Sequence, residues 1–112
     1  MHPGTYVYCQ TRFIEFHCWP HAPESVKFLR SQHRHEFHVK VTARTKHDNR
    51  DIEFITLKLQ TDDAIKDMRT NWTGTASCEQ MCVGIISRLK DLMIHSVEVS
   101  EDGENGAIVV CQ

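Results

Sequence analysis

The segment Gln32-His33-Arg34-His35-Glu36-Phe37-His38-Val39-Lys40-Val41 constrains this chain more than any other. Its apolar residues recur every second position, a period that a strand satisfies and a helix does not. His33 and His35 then share one face, about 7 Å apart at roughly 3.3 Å per residue. Phe37, Val39 and Val41 carry that face into a core, so the histidine pair sits at the core's edge. In a helix, positions i and i+2 would point nearly opposite ways. The stretch from Thr5 to His17 is rich in Tyr, Val, Phe and Ile, has no Gly or Pro inside, and reads as another strand. On it Phe13, Glu15 and His17 share a face. An HxH pair on one strand with a third histidine from a neighbour is a way to hold zinc with one coordination position left open. His17, His33 and His35 are therefore candidate zinc ligands, and an open position points to chemistry or ligand binding rather than a purely structural ion. The alternative is three solvated histidines on exposed strand positions.

The rest of the chain supplies the partners of these strands. Cys18 to Gln32 carries Pro20 and Pro23 without a clean period and reads as a loop. His33 to Thr45 is the second strand, and Lys46-His47-Asp48-Asn49-Arg50 a polar turn. An extended piece is expected around Ile52-Glu53-Phe54; beyond it Ile55, Leu57 and Leu59 alternate like a strand, yet the segment could also open a helix. Thr61-Asp62-Asp63 predicts a helix start, with a capping hydroxyl and two carboxylates at the positive end of the dipole, and a short helix over Ala64 to Arg69. Trp72-Thr73-Gly74-Thr75 breaks it. Ser77-Cys78-Glu79-Gln80 fits a capping box, and Met81, Ile85, Ile86, Leu89 and Leu92 continue at helical spacing to about Asp91 or Leu92. A hairpin closes the chain, with Ser96 to Ser100 and Ala107 to Cys111 around a Glu-Asp-Gly-Glu-Asn-Gly turn. The order is strand, strand, helix, helix, strand, strand: one α+β domain over residues 1–112.

Composition narrows the partners. A formal charge of −2 gives no electrostatic case for nucleic acid or an anionic membrane. No apolar stretch approaches membrane-spanning length. The start, Met1-His2-Pro3-Gly4, lacks the charged region and apolar run of a secretory signal. Five cysteines, an odd number at irregular spacing with no CxxC, suit reduced thiols and a cytoplasmic protein. A 112-residue chain has a small core, which makes stabilisation by a metal or by oligomerisation expected.

The motifs taken in order resemble the 6-pyruvoyl-tetrahydropterin synthase and 6-carboxytetrahydropterin synthase family. Phe13 to His17 is similar to its F-x-x-x-H strand. His33-Arg34-His35-Glu36-Phe37-His38-Val39 is similar to its H-G-H strand, with Arg for Gly. Asp51-Ile52-Glu53-Phe54 resembles V-I-D-F, and Ala76-Ser77-Cys78-Glu79 resembles P-T-x-E. Val97-Glu98-Val99-Ser100-Glu101 and Gly106-Ala107-Ile108-Val109 resemble its final hairpin. The resemblance spans almost the whole chain and rests on the order and spacing of short motifs. It implies a T-fold, a four-stranded antiparallel sheet with two helices on one face, assembling into trimers or hexamers. It implies Zn2+ on His17, His33 and His35, and a pterin- or purine-like ligand whose amino-pyrimidine edge is gripped by Glu101 with Ser77 nearby. A carboxylate accepting two parallel N–H bonds suits such an edge. It also implies a lyase acting on a dihydroneopterin-triphosphate-like pterin, or a non-catalytic binding protein with the same pocket.

Two parts of the family's pattern are missing. Phe28 or Leu29 stands where the family places a nucleophile-like Cys, and Lys66 to Ala76 contains no His where it places an Asp-His pair. The catalytic base is thus unknown: a substitute residue, a zinc-bound hydroxide or a group from another subunit. His21 and Glu24 are loop candidates for it, weighed against simple solvation. Cys18, next to His17 on a strand, is expected to face away from the site as a buried apolar group. Cys78 and Cys82 are expected to pack on a helix face, Trp19 and Trp72 to pack rather than stack on bases, and His38 and His47 to lie on the surface.

Overall fold

The computed structural model describes residues 4–112, so the reading of Met1-His2-Pro3 lies outside the described residues. Four strands form one antiparallel sheet in the order β1 (Tyr6–His17), β2 (His33–Arg44), β3 (Ile94–Glu101) and β4 (Asn105–Val110). Between β2 and β3 run the helices α1 (Phe54–Thr70) and α2 (Cys78–Ser87). This is the α+β arrangement expected from the sequence. A 3₁₀ segment over Glu24–Arg30, kinked at Val26, lies within the span read as a loop.

Alternation along the strands decides which face is covered. On β1, Cys9, Phe13 and His17 are buried while Tyr8, Ile14 and Phe16 are exposed. On β2, Phe37, Val39, Val41 and Ala43 are buried, joined by Val97 and Val99 of β3. α1 packs on β1, and α2 on β3 and β4, so both helices lie on this face. Leu57, Ala64, Ile65 and Met68 of α1 and Met81, Cys82 and Ile85 of α2 complete the core. Gly84 brings the helices close, since a Cβ there would meet Met68 Sδ at 3.3 Å.

The start of α1 corrects one expectation. The helix begins at Phe54, not after Thr61, and no extended piece precedes it. Glu53 is its cap: Oε2 accepts from Ile55 N at 2.6 Å and Oε1 from Thr56 N at 3.1 Å. These backbone donors hold the Glu53 carboxyl below its ordinary pKa. Of the three alternating residues only Leu57 is buried; Ile55 and Leu59 face solvent. The true period is Leu57, Thr61, Ala64, Ile65 and Met68, a helical stripe. Thr61 lies on that stripe, its hydroxyl donating to Leu57 O at 2.8 Å.

α2 opens as predicted. Ser77 Oγ accepts from Gln80 N at 3.1 Å, and Gln80 Oε1 from Ser77 N at 3.0 Å. It ends at Ser87, earlier than the spacing predicts. Past that point, Arg88 N bonds to Ile85 O and Leu89 N to Ile86 O, tightened turns that keep Leu89 in the core without further helix.

Candidate metal centre

The register of β1 on β2 builds the site. The two strands pair without a shift from Tyr6↔Arg44 to His17↔His33. His17, at the end of β1, therefore faces His33, at the start of β2, and Glu15 faces His35. The three imidazole centroids lie 4.5 Å (His17–His33), 5.0 Å (His33–His35) and 5.4 Å (His17–His35) apart. Arg34, the residue between the pair, is exposed, so its bulk does not crowd the cluster. Phe37, fully buried, forms the floor, 5.2 Å from the His17 ring and 5.8 Å from the His35 ring.

From the other side β3 delivers Glu101, registered opposite Phe37. Its Oε2 lies 3.0 Å from His17 Nε2 and 3.4 Å from His35 Nε2. Its Oε1 accepts from Asn105 Nδ2 at 3.3 Å. One ligand atom each from His17, His33, His35 and Glu101 falls within 4.8 Å of the others, so the group can hold a metal ion.

The outer hydrogen bonds state which ring nitrogens face inward. His17 Nδ1 meets Ala76 O at 3.1 Å, His33 Nδ1 meets Ser31 O at 2.9 Å, and His35 Nδ1 meets Asp102 Oδ2 at 2.7 Å. Carbonyl and carboxylate oxygens only accept, so each Nδ1 carries the proton and each neutral ring presents a bare Nε2 lone pair. Buried His17 Nε2 has no hydrogen-bond partner among the described residues, because Glu101 Oε2 lies close but out of line. An orphaned buried nitrogen beside a carboxylate is costly without a cation. Filling the centre with three imidazolium protons instead would set like charges together. Each such pair, about 5 Å apart, costs about 3 kcal/mol at an effective dielectric of about 20. A coordinated ion satisfies all four groups at once, and an imidazole–carboxylate set suits zinc or another borderline transition metal.

Asp102 is the residue the sequence reading missed, appearing there only within the turn of the final hairpin. It sits at φ +57°, with Gly103 at φ +72°, in the turn after β3. Besides His35 it accepts from Glu36 N at 3.0 Å, and its own N–H donates to Glu36 O at 2.8 Å. These bonds hold its carboxyl below the ordinary range, the Glu36 amide first and His35 next. The signal was an acid beside Glu101 in a glycine turn, but its target depends on the β2–β3 register.

His17, His33 and Glu101 open on a cleft of about 580 Å³, and His35 lies outside its lining. Trp19, expected to pack, is instead half exposed and lines the cleft together with Cys18, Leu29, and Ser77 and Gln80 of the α2 start. Cys18 thus differs from expectation: the strand ends at His17, alternation stops there, and the thiol joins the cleft wall. Ser77 reaches the cleft with its hydroxyl oxygen already accepting the helix cap. Of the residues held against the missing Cys, Leu29 lines the cleft and Phe28 is exposed. His21 and Glu24 do not line it, and Glu24 pairs with Lys27 and Arg30 on the surface. Cys78 and Cys82 pack in the core, where burial first and nearby Glu101 next push the Cys78 thiol up to about 12. All five cysteines are free. Trp72 packs edge-on to Phe13 and donates to Phe16 O at 2.8 Å. His38 and His47 lie on the surface beside Glu36 and Asp51. A larger hollow of about 910 Å³ lies elsewhere, beside Arg12, Lys40 and Ile108, and none of the three histidines lines it.

Among the described residues no helix is long and apolar enough to cross a membrane. No protein-family model matches the chain, and no curated protein does.

Proposed function

We propose that this chain is a compact zinc protein of the 6-pyruvoyl-tetrahydropterin and 6-carboxytetrahydropterin synthase type. His17, His33 and His35 would hold the ion, and the cleft would take a pterin- or purine-like ligand. The observation that carries this reading is the convergence of three Nε2 lone pairs, each fixed by an outer Nδ1 bond. Zinc fits the spacing. With bonds of about 2.0–2.1 Å, a tetrahedral site has ligand–ligand edges of about 3.3–3.4 Å. The Glu101 contacts to His17 and His35, at 3.0 and 3.4 Å, are near that length already. When bound, zinc supplies Lewis-acid polarisation of a ligand hydroxyl or carbonyl. The chain's own residues supply recognition. Trp19 offers a flat face at the rim, and Glu101 with Asn105 offers an acceptor and a donor for the edge of a planar heterocycle.

A second reading, a non-catalytic binding protein for the same ligand class, is favoured by Leu29 in the cleft wall and by the exclusion of His21 and Glu24 from it. In both readings the free thiols suit a reducing, cytoplasmic setting. Both include a trimer or hexamer, supported by large apolar side chains exposed on each edge strand: Ile14 and Phe16 on β1, Ile108 and Val110 on β4.

The test is to incubate zinc-loaded protein with 7,8-dihydroneopterin triphosphate. Release of triphosphate, abolished by His35→Ala, is the expected result for an enzyme. Pterin binding without product at high protein concentration assigns the binding role. Less than a tenth of an equivalent of zinc, unchanged by His35→Ala, overturns both.

A further inference from the structure

Glu101 is asked to do two things that one carboxylate cannot do together. Gripping an amino-pyrimidine edge takes both oxygens, each accepting one of two parallel N–H bonds. Yet Oε2 is turned onto the histidines, 3.0 Å from His17 Nε2 and 3.4 Å from His35 Nε2. The side chain is only about a quarter exposed. With each Nδ1 turned to its outer oxygen, a neutral ring offers Oε2 a lone pair and no N–H, and a cation between them would satisfy the carboxylate and the nitrogens together. Oε1, in contrast, is outside the cluster and held at 3.3 Å by Asn105, which faces Glu101 across the Asp102-Gly103-Glu104 turn.

We infer that Glu101 is an exchangeable fourth ligand. With the cleft empty it closes the metal site formed by His17, His33 and His35. When a ligand with a paired N–H edge enters, the carboxylate leaves the metal and accepts that edge. This rests on the zinc reading above and deepens it, since the three histidines alone leave the fourth position open at all times. The Asn105 bond gives the carboxylate an anchor in both positions, so the exchange needs only side-chain rotation. Cleft ligand and metal are then coupled. A heterocycle with no donor of its own for the metal takes Glu101 away and loosens the ion. One carrying a side-chain hydroxyl replaces what it removes.

Cobalt(II) is a suitable probe, because its visible bands report coordination. The wild-type protein, Glu101→Gln and Glu101→Ala are loaded with Co2+ and titrated with azide, then with guanine. In the wild type, azide should leave the four-coordinate bands unchanged and guanine should shift them. In Glu101→Ala, azide should shift the bands, guanine should not, and Co2+ affinity should fall at least tenfold. Glu101→Gln, which keeps the size and one oxygen, guards against a folding defect; it should resemble Glu101→Ala toward guanine. Azide shifting the wild-type bands, or equal Co2+ affinity in wild type and Glu101→Ala, overturns the exchange while leaving the metal site standing. Failure of the wild type to take up Co2+, with His35→Ala no different, overturns the metal reading itself.

Discussion

At the scale of single residues, the arrangement around His35 shows how a surface acid can orient a candidate metal ligand. Asp102 fixes the ring through a 2.7 Å bond and is itself fixed by two backbone bonds to Glu36. Asp102→Asn keeps an oxygen for the Glu36 amide but removes the charge that favours the Nδ1-protonated ring. Zinc affinity is expected to drop about 10- to 100-fold, the usual range for such outer partners. Competition against a chromophoric chelator measures it, with unchanged circular dichroism as the control; unchanged affinity would refute the role. His17, His33 and His35 were legible in the sequence because a period of two is a local signal. Glu101 was legible only through the resemblance of the final hairpin to a family pattern, and there as a ligand anchor rather than a neighbour of the histidines. Asp102 was not legible, because its partner is 67 residues away and reaches it only through sheet register.

At the scale of elements, the strands and the α2 start were readable and the α1 start was not. Glu53 is an uncommon cap, while Thr61-Asp62-Asp63 carries every usual sign of a helix start about two turns too late. Ile55, Leu57 and Leu59 imitate a strand because two of them are exposed apolar residues, which obey no period. The end of α2 was overextended for the opposite reason: Leu89 stays buried after the helix has stopped. Ser77 separates local structure from function most cleanly. If its hydroxyl serves chiefly as the α2 cap, Ser77→Ala costs about 1 kcal/mol of stability, seen in a denaturant midpoint, and leaves zinc content unchanged. Loss of ligand binding well beyond that of a comparably destabilised core variant would show a direct role instead.

At the scale of the whole molecule, the sheet has one face under helices and two edge strands with apolar side chains on the other face. The polar middle of that face, with Lys40, Glu98 and His38, separates the two apolar borders. Burial of those borders against neighbouring copies predicts that Ile14→Glu with Phe16→Glu shifts the protein from an oligomer to a monomer in sedimentation, with the circular dichroism of the fold retained. A wild-type monomer at micromolar concentration would refute the assembly. The unshifted pairing of β1 with β2 has a further consequence. The backbones of His17 and His33 are placed by a ladder running back to Tyr6 and Arg44, and the span from Cys18 to Gln32 that joins them adds Ser31 O on His33 Nδ1. With Ser31 kept, residues 18–30 of that span are expected to tolerate changes of length or chemistry over the cleft while the strand register holds the histidine backbones, so the choice of ligand could drift independently of the site beneath it.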